Sequence, residues 1–252
     1  MVGLRHLSIA VLLLCLVGTA LAQDVIRVGT ESTYPPFEFR DQAGKLAGLD
    51  VELMEAIAAR LGKKVEWVDM AFDSLIPSLM AGKIDAVIAG MSATPERAQK
   101  VDFSIPYYIS LSSFLVRAED DSIKGLSDLK GKVIAVQLGT VQDTFSSKIE
   151  GAEVKRFQKF DDCVREVVLG RAHATLMDKV VAESFLEAPD FKGKVKIAFD
   201  QEITEAGKAI AVRKGDKALL DGINKVLEEM KGSGELDRLI QKWFSKKEQK
   251  PS

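Results

Sequence analysis

The segment IDAVIA, Ile84 to Ala89, limits the fold more than any other stretch of the chain. It is short, almost wholly apolar, and fenced by Gly82 before it and Gly90 after it, which suits a strand buried on both faces of a parallel sheet. Such a strand needs helices above and below, and the neighbouring sequence supplies them. Val25 to Gly29 and Val65 to Val68 read as further strands. Between them, Asp50 to Leu61 sets Val51, Met54, Ile57, Ala58 and Leu61 on one helical face, with Asp50 as the expected N-cap and Gly62 as the stop. Asp73 to Ala81 reads as a second helix, with Pro77 expected in its first turn, where a missing N–H costs little.

The same alternation restarts after Lys130. Val133 to Gln137, Val154 to Phe157 and Ala174 to Met177 read as strands, and Thr140 to Ile149 and Asp161 to Leu169 as the helices between them. This predicts an α/β fold in which the second run of units forms a lobe of its own. Ser112 to Arg117 and Ala209 to Arg213 flank that run and are the expected crossings, after which Asp216 to Met230 and Glu235 to Phe244 read as helices returning to the first lobe. The expected division is a leader at 1–22, a first lobe at 23–112, a second at 113–208, and a return at 209–252.

The leader is read from its own pattern: a short basic start with Arg5 and His6, an apolar run from Leu7 to Val17, and small residues up to Ala22. The apolar run is shorter than the ~20 residues of a spanning helix, so a secretory signal cleaved before Gln23 is expected. Lipid anchoring at Cys15 is the disfavoured alternative, because Leu14 stands where that processing normally has a small residue. Cys163 is then the only cysteine of the mature chain, so no internal disulfide braces it. Removing the leader, whose one formal charge is Arg5, takes the net charge from -2 to -3 and offers no footprint for nucleic acid or an anionic membrane.

Three segments are more particular: TESTYPPFEF from Thr30, FDSLIPSLMAGKIDAVIAGMSATPER from Phe72, and VQLGTVQDTF from Val136. Thr94 suits an N-cap and Pro95 a first helical residue, which puts Arg97 in a first turn, where a cation opposes the helix dipole. Something anionic should compensate. Read locally, Arg97 could instead bridge Glu96, Asp178 could merely cap a helix, and Tyr34 and Phe72 could be core aromatics.

Together with GRAHATLMD from Gly170 and the ending KGSGELDRLIQKWF, these segments resemble the periplasmic solute-binding proteins of polar-amino-acid ABC transporters. That group includes histidine-, arginine-, lysine/arginine/ornithine- and glutamine-binding proteins. The resemblance implies a type II periplasmic-binding fold of two mostly parallel α/β lobes joined by two hinge crossings. It also implies a ligand-binding set. Arg97 would grip the α-carboxylate with help from Thr140 and its neighbour Val141, where several relatives carry threonine. Ala89, Gly90 and Ser92 would add backbone and hydroxyl contacts, and Asp178 would meet the α-ammonium. Tyr34 and Phe72 would sandwich the ligand side chain, whose far end would meet Glu31 and Gln137. An acid at Glu31 suits a cation, but glutamine binders carry one too, so arginine or lysine ranks first and glutamine or histidine second.

The implied function is capture of a free amino acid and its delivery to a membrane-embedded ABC permease, by a monomer with no cofactor or metal, in the periplasm or outside the cell. The rival is an enzyme, because some relatives of the fold are small-molecule dehydratases. His173 is the only histidine after the leader, and no HExxH, GxSxG or phosphate loop is present. Acid-only chemistry through Glu31 or Asp178 stays open, as does a sensing or adhesion role.

Overall fold

The computed structural model describes residues 24–245. The expected leader, Cys15 included, and nearly all of the polar tail lie outside the described residues. In chain order the first lobe contributes β1 (Val25–Thr30), β2 (Thr33–Tyr34), β3 (Glu38–Arg40), β4 (Leu46–Ala47), α1 (Leu49–Arg60), β5 (Lys64–Asp69), α2 (Phe72–Met80), β6 (Ala86–Val87), α3 (Pro95–Ala98) and β7 (Val101–Phe103). The second holds β8 (Ser112–Arg117), β9 (Val133–Gln137), α4 (Val141–Ser146), β10 (Glu153–Phe157), α5 (Phe160–Val168), β11 (Ala174–Asp178), α6 (Lys179–Glu187) and β12 (Val195–Gln201). The chain then returns through β13 (Ala211–Arg213) to α7 (Lys217–Gly232) and α8 (Glu235–Phe244).

Two five-stranded sheets result, in the orders β5-β1-β6-β13-β7 and β10-β9-β11-β8-β12. In each, three neighbouring strands run parallel and the next one runs antiparallel. That antiparallel strand, β8 or β13, is the first one the chain enters after crossing between lobes. The crossing segments touch: Lys208 forms antiparallel bridges with both Tyr108 and Ser92. The return helices pack home on the first lobe, with Phe244 edge-on to Phe37 and Tyr108, and Lys242 bonded to Glu52 at 2.8 Å.

The apolar residues of Ile84–Ala89 are buried as their composition demands; Ala86–Val87 form the strand, and the Asp85 and Ile88 amides on either side also donate to the Arg27 and Gly29 carbonyls of β1. Other expectations need correction. Helix α1 starts at Leu49 behind Gly48, not at an Asp50 cap; Gly48 has φ 129°, and a Cβ there would collide with the Phe37 carbonyl. Asp50 turns inward and is fully buried. Pro77 lies inside α2, beyond its first turn. Helix α4 stops at Ser146, three residues short of the expected end. The small antiparallel sheet β2-β3-β4 and the edge strands β7 and β12 had no signal in the pattern.

One ion-pair cluster fastens the first sheet from outside. Asp85 accepts from the Arg27 side chain at 2.9 and 3.0 Å, from the Arg27 backbone at 3.0 Å, and from Arg213 at 3.1 Å, so it ties β1 and β13 to the turn before β6. Partial burial works to raise the Asp85 carboxyl, but these donors outweigh it and bring it down from 3.8 to about 2. A carboxyl held low in the folded state adds stability above its unfolded value and loses it as pH falls through the folded one. Asp85→Asn should therefore lower the melting temperature at neutral pH, and the gap to wild type should close between pH 3.8 and about 2. Melting curves at stepped pH check this; a gap that persists in strong acid contradicts it.

Candidate functional site

Parallel strands end by pointing their carboxyl termini into loops, which is where open α/β sheets collect ligands. Here both sheets do so toward one cleft. Glu31 follows β1, Ala89 and Gly90 follow β6, Gln137 ends β9, and Asp178 ends β11. Glu31, Tyr34, Phe72, Ala89, Gly90, Ser92 and Arg97 line the cleft from the first lobe, and Gln137, Thr140 and Val141 from the second. Asp178 bonds to three of the lining residues, Tyr34, Gln142 and Lys208. The enclosed space is about 10 Å³, roughly one water's worth, because side chains from the two lobes meet across it.

Arg97 is placed by local sequence. Thr94 caps α3 by accepting from the Arg97 amide at 3.3 Å, and Pro95 occupies the first turn. The guanidinium donates to the Ser92 carbonyl at 2.8 Å and across the cleft to the Gly139 carbonyl at 3.0 Å. It lies 5.2 Å from the Phe72 ring centre, so that ring carries the arginine. Desolvation pulls its pKa down to about 10, with the Glu96 charge opposing, and it remains a cation at neutral pH. Among the described residues no carboxylate pairs with it.

Tyr34 is buried against Phe37 and Phe160, with ring centres at 5.7 and 4.7 Å. Its hydroxyl donates to Asp178 Oδ2 at 2.7 Å and accepts from the Asp178 amide at 3.0 Å, so one side chain bridges the lobes. Asp178 precedes α6 without capping it. Instead its carboxylate meets the ammonium of Lys208 at 2.5 Å, and Gln142 donates to the other oxygen at 3.4 Å.

At the far end Glu31 accepts from the Thr33 hydroxyl at 2.8 and 2.9 Å and from Gln137 Nε2 at 2.9 Å. Burial raises its pKa, against those hydrogen bonds. Gln137 also donates to the Gln158 carbonyl at 2.9 Å, so both of its amide hydrogens are taken. The Thr140 hydroxyl is spent within its own turn, donating to the Gln137 carbonyl at 2.8 Å and accepting from the Asp143 amide at 3.1 Å.

Sequence reasoning missed several residues here. Phe160 and Gln142 line the cleft from α5 and α4, and Glu38 and Lys208 from the first lobe and the return crossing. Asp50 lies behind Gly90 and accepts from its amide at 2.7 Å and from the Tyr107 hydroxyl at 2.9 Å. Only Lys208 had a usable signal, as a lone charge between Gly207 and an apolar strand.

The chain is similar to known binding proteins over most of its length. An arginine-binding extracellular protein of Bacillus subtilis is 37% identical over 231 residues, covering 90% of this chain and 89% of that protein. A histidine-binding periplasmic protein of Salmonella typhimurium is 34% identical over 226 residues, 87% of each chain. Among solved structures, an ancestral arginine-binding protein bound to arginine superposes with a TM-score of 0.84 at 45% identity, over 88% of this chain and 98% of that one. The family model for bacterial extracellular solute-binding proteins, family 3, matches residues 26–246. With two facing sheets, a cleft at their strand ends and a match along nearly all of its length, the chain belongs to the bacterial extracellular solute-binding proteins of family 3.

Proposed function

We propose that the protein captures a free amino acid with a basic side chain, arginine or lysine before glutamine or histidine, and delivers it to an ABC permease. The arginine- and histidine-binding relatives support the class. The hydrogen-bond capacity of the far end carries the choice within it. Glu31 offers only carboxylate oxygens once ionised, and Gln137, with both hydrogens committed to Glu31 and Gln158, has only its oxygen left. A guanidinium or ammonium, which only donates, satisfies that end. A glutamine amide would bring a carbonyl that finds no donor, and a buried unsatisfied acceptor costs about 1–3 kcal/mol.

At the near end, Arg97 is a desolvated cation bonded only to carbonyls, and the rest of its fork suits a carboxylate. The ligand would hold Arg97 and Glu31 from the first lobe and Thr140 and Asp178 from the second. Contacts made to both lobes exist only when they are together, and this difference in affinity drives closure about the crossings. The lobe boundaries at 112/113 and 208/209 belong to this proposal, as do release by cleavage before Gln23 and action as a monomer. The protein acts as a binder and not an enzyme, so a bound amino acid should be recovered chemically unchanged after long incubation.

Two substitutions test the site by calorimetry. Arg97→Ala leaves the ligand carboxylate without its partner and should cost about 3–5 kcal/mol, a loss of a hundredfold or more for every amino acid bound. Binding at wild-type strength would remove Arg97 from the site. Glu31→Gln should weaken arginine and lysine by roughly ten- to a hundredfold, the worth of a charge-assisted hydrogen bond, and leave glutamine within about threefold. Because burial raises the Glu31 pKa, wild-type preference for arginine over glutamine should also shrink on acidification before an ordinary glutamate would protonate. Equal losses for arginine and glutamine in Glu31→Gln would refute the basic preference.

A further inference from the structure

Lysine is almost never fully buried without a partner, yet Lys208 is only 3% exposed. Its backbone is fixed at the return crossing: the Lys208 amide donates to the Tyr108 carbonyl at 2.7 Å, and its carbonyl accepts from the Tyr107 amide at 2.8 Å. From there the side chain reaches into the cleft, where its ammonium lies 2.5 Å from Asp178 Oδ2 and 3.3 Å from the Ser92 hydroxyl. Asp178, which the proposed function places on the ligand, is the group to which the family resemblance assigns the α-ammonium. The chain therefore supplies an ammonium of its own at that carboxylate.

This changes what the near end accepts. An incoming α-ammonium must share Asp178 with a like charge a hydrogen bond away, in a site shielded from water, where such repulsion is strong. An α-hydroxyl meets no such conflict. Its oxygen accepts from the Lys208 ammonium while its hydrogen goes to Asp178, and an α-keto oxygen accepts from Lys208 in the same way. The carboxylate still goes to Arg97 and the side chain to Glu31.

We propose that Lys208 is a specificity-determining residue that admits α-hydroxy and α-keto acids to the site alongside α-amino acids. The inference rests on the proposed amino-acid site and deepens it. Its test compares arginine with 5-guanidino-2-hydroxypentanoic acid and the corresponding 2-oxo acid, by calorimetry, on wild type, Lys208→Met and Lys208→Gln. The readout is the ratio of dissociation constants, analogue over arginine, within each protein, which cancels any general weakening of the cleft. The ratio should rise at least about fivefold when the lysine charge is removed, because Asp178 then discriminates for an ammonium unopposed. A smaller rise, or a fall, in the variants overturns the inference. Lys208→Gln keeps a polar group of similar length, and its melting curve establishes folding if the methionine variant is unstable. Arginine binding by wild type with an unmoved ratio sinks this inference alone, whereas failure of wild type to bind arginine sinks the site reading as well.

Discussion

Asp178 is where the two lobes are joined by chemistry as well as by chain. It ends a parallel strand of the second sheet, yet its strongest partners, Tyr34 and Lys208, come from the first lobe and the return crossing. A buried charge pair gives little net stability, because desolvating both ions offsets most of their attraction, but breaking one partner away is expensive. Such a contact fixes which groups must face each other without making the protein much more stable. The other cross-cleft bonds, from Arg97 to the Gly139 carbonyl and from Gln137 to Glu31, have the same character. Each has at least one end at a strand terminus or in the loop beside one, at Glu31, Gln137, Gly139 or Asp178.

How much of this could be read from the sequence follows from how local each cause is. The Thr94-Pro95 start of α3 and the strand Val133–Gln137 depend on neighbours a few residues away, and both stand where the pattern put them. Helix α1 shows the limit. An aspartate at the head of an amphipathic run looks like a cap, but Asp50 is drawn inward by the Gly90 amide and the Tyr107 hydroxyl, which lie 40 and 57 positions away in sequence. Strands β2, β3 and β4 are two or three residues long, too short for alternation to register. Within the cleft, the charge types at Glu31, Arg97 and Asp178 were legible through family resemblance. Lys208 was legible only as a lone charge ahead of an apolar strand, and Phe160 was hidden by looking like any apolar helix residue.

The floor of the cleft explains how so many charges coexist in one small volume. Glu38 and Asp50 are both fully buried and both pushed upward by desolvation, Glu38 further because the Asp50 charge lies beside it. Burial and the Asp50 charge thus both favour the protonated form of Glu38, which favours a single negative charge, on Asp50, where two carboxyls stand. That charge also receives the Gly90 amide, fixing the loop at φ 50°, where a Cβ would come within 3.0 Å of the Tyr34 ring. Lys208 acts favourably on both Glu38 and Asp50 from the cleft side. Its ammonium thus faces Asp178 on one side and the Glu38 and Asp50 carboxyls on the other, and this double compensation is what permits a lysine to be buried there. A neutral residue at that position would leave both the floor and the far wall negative.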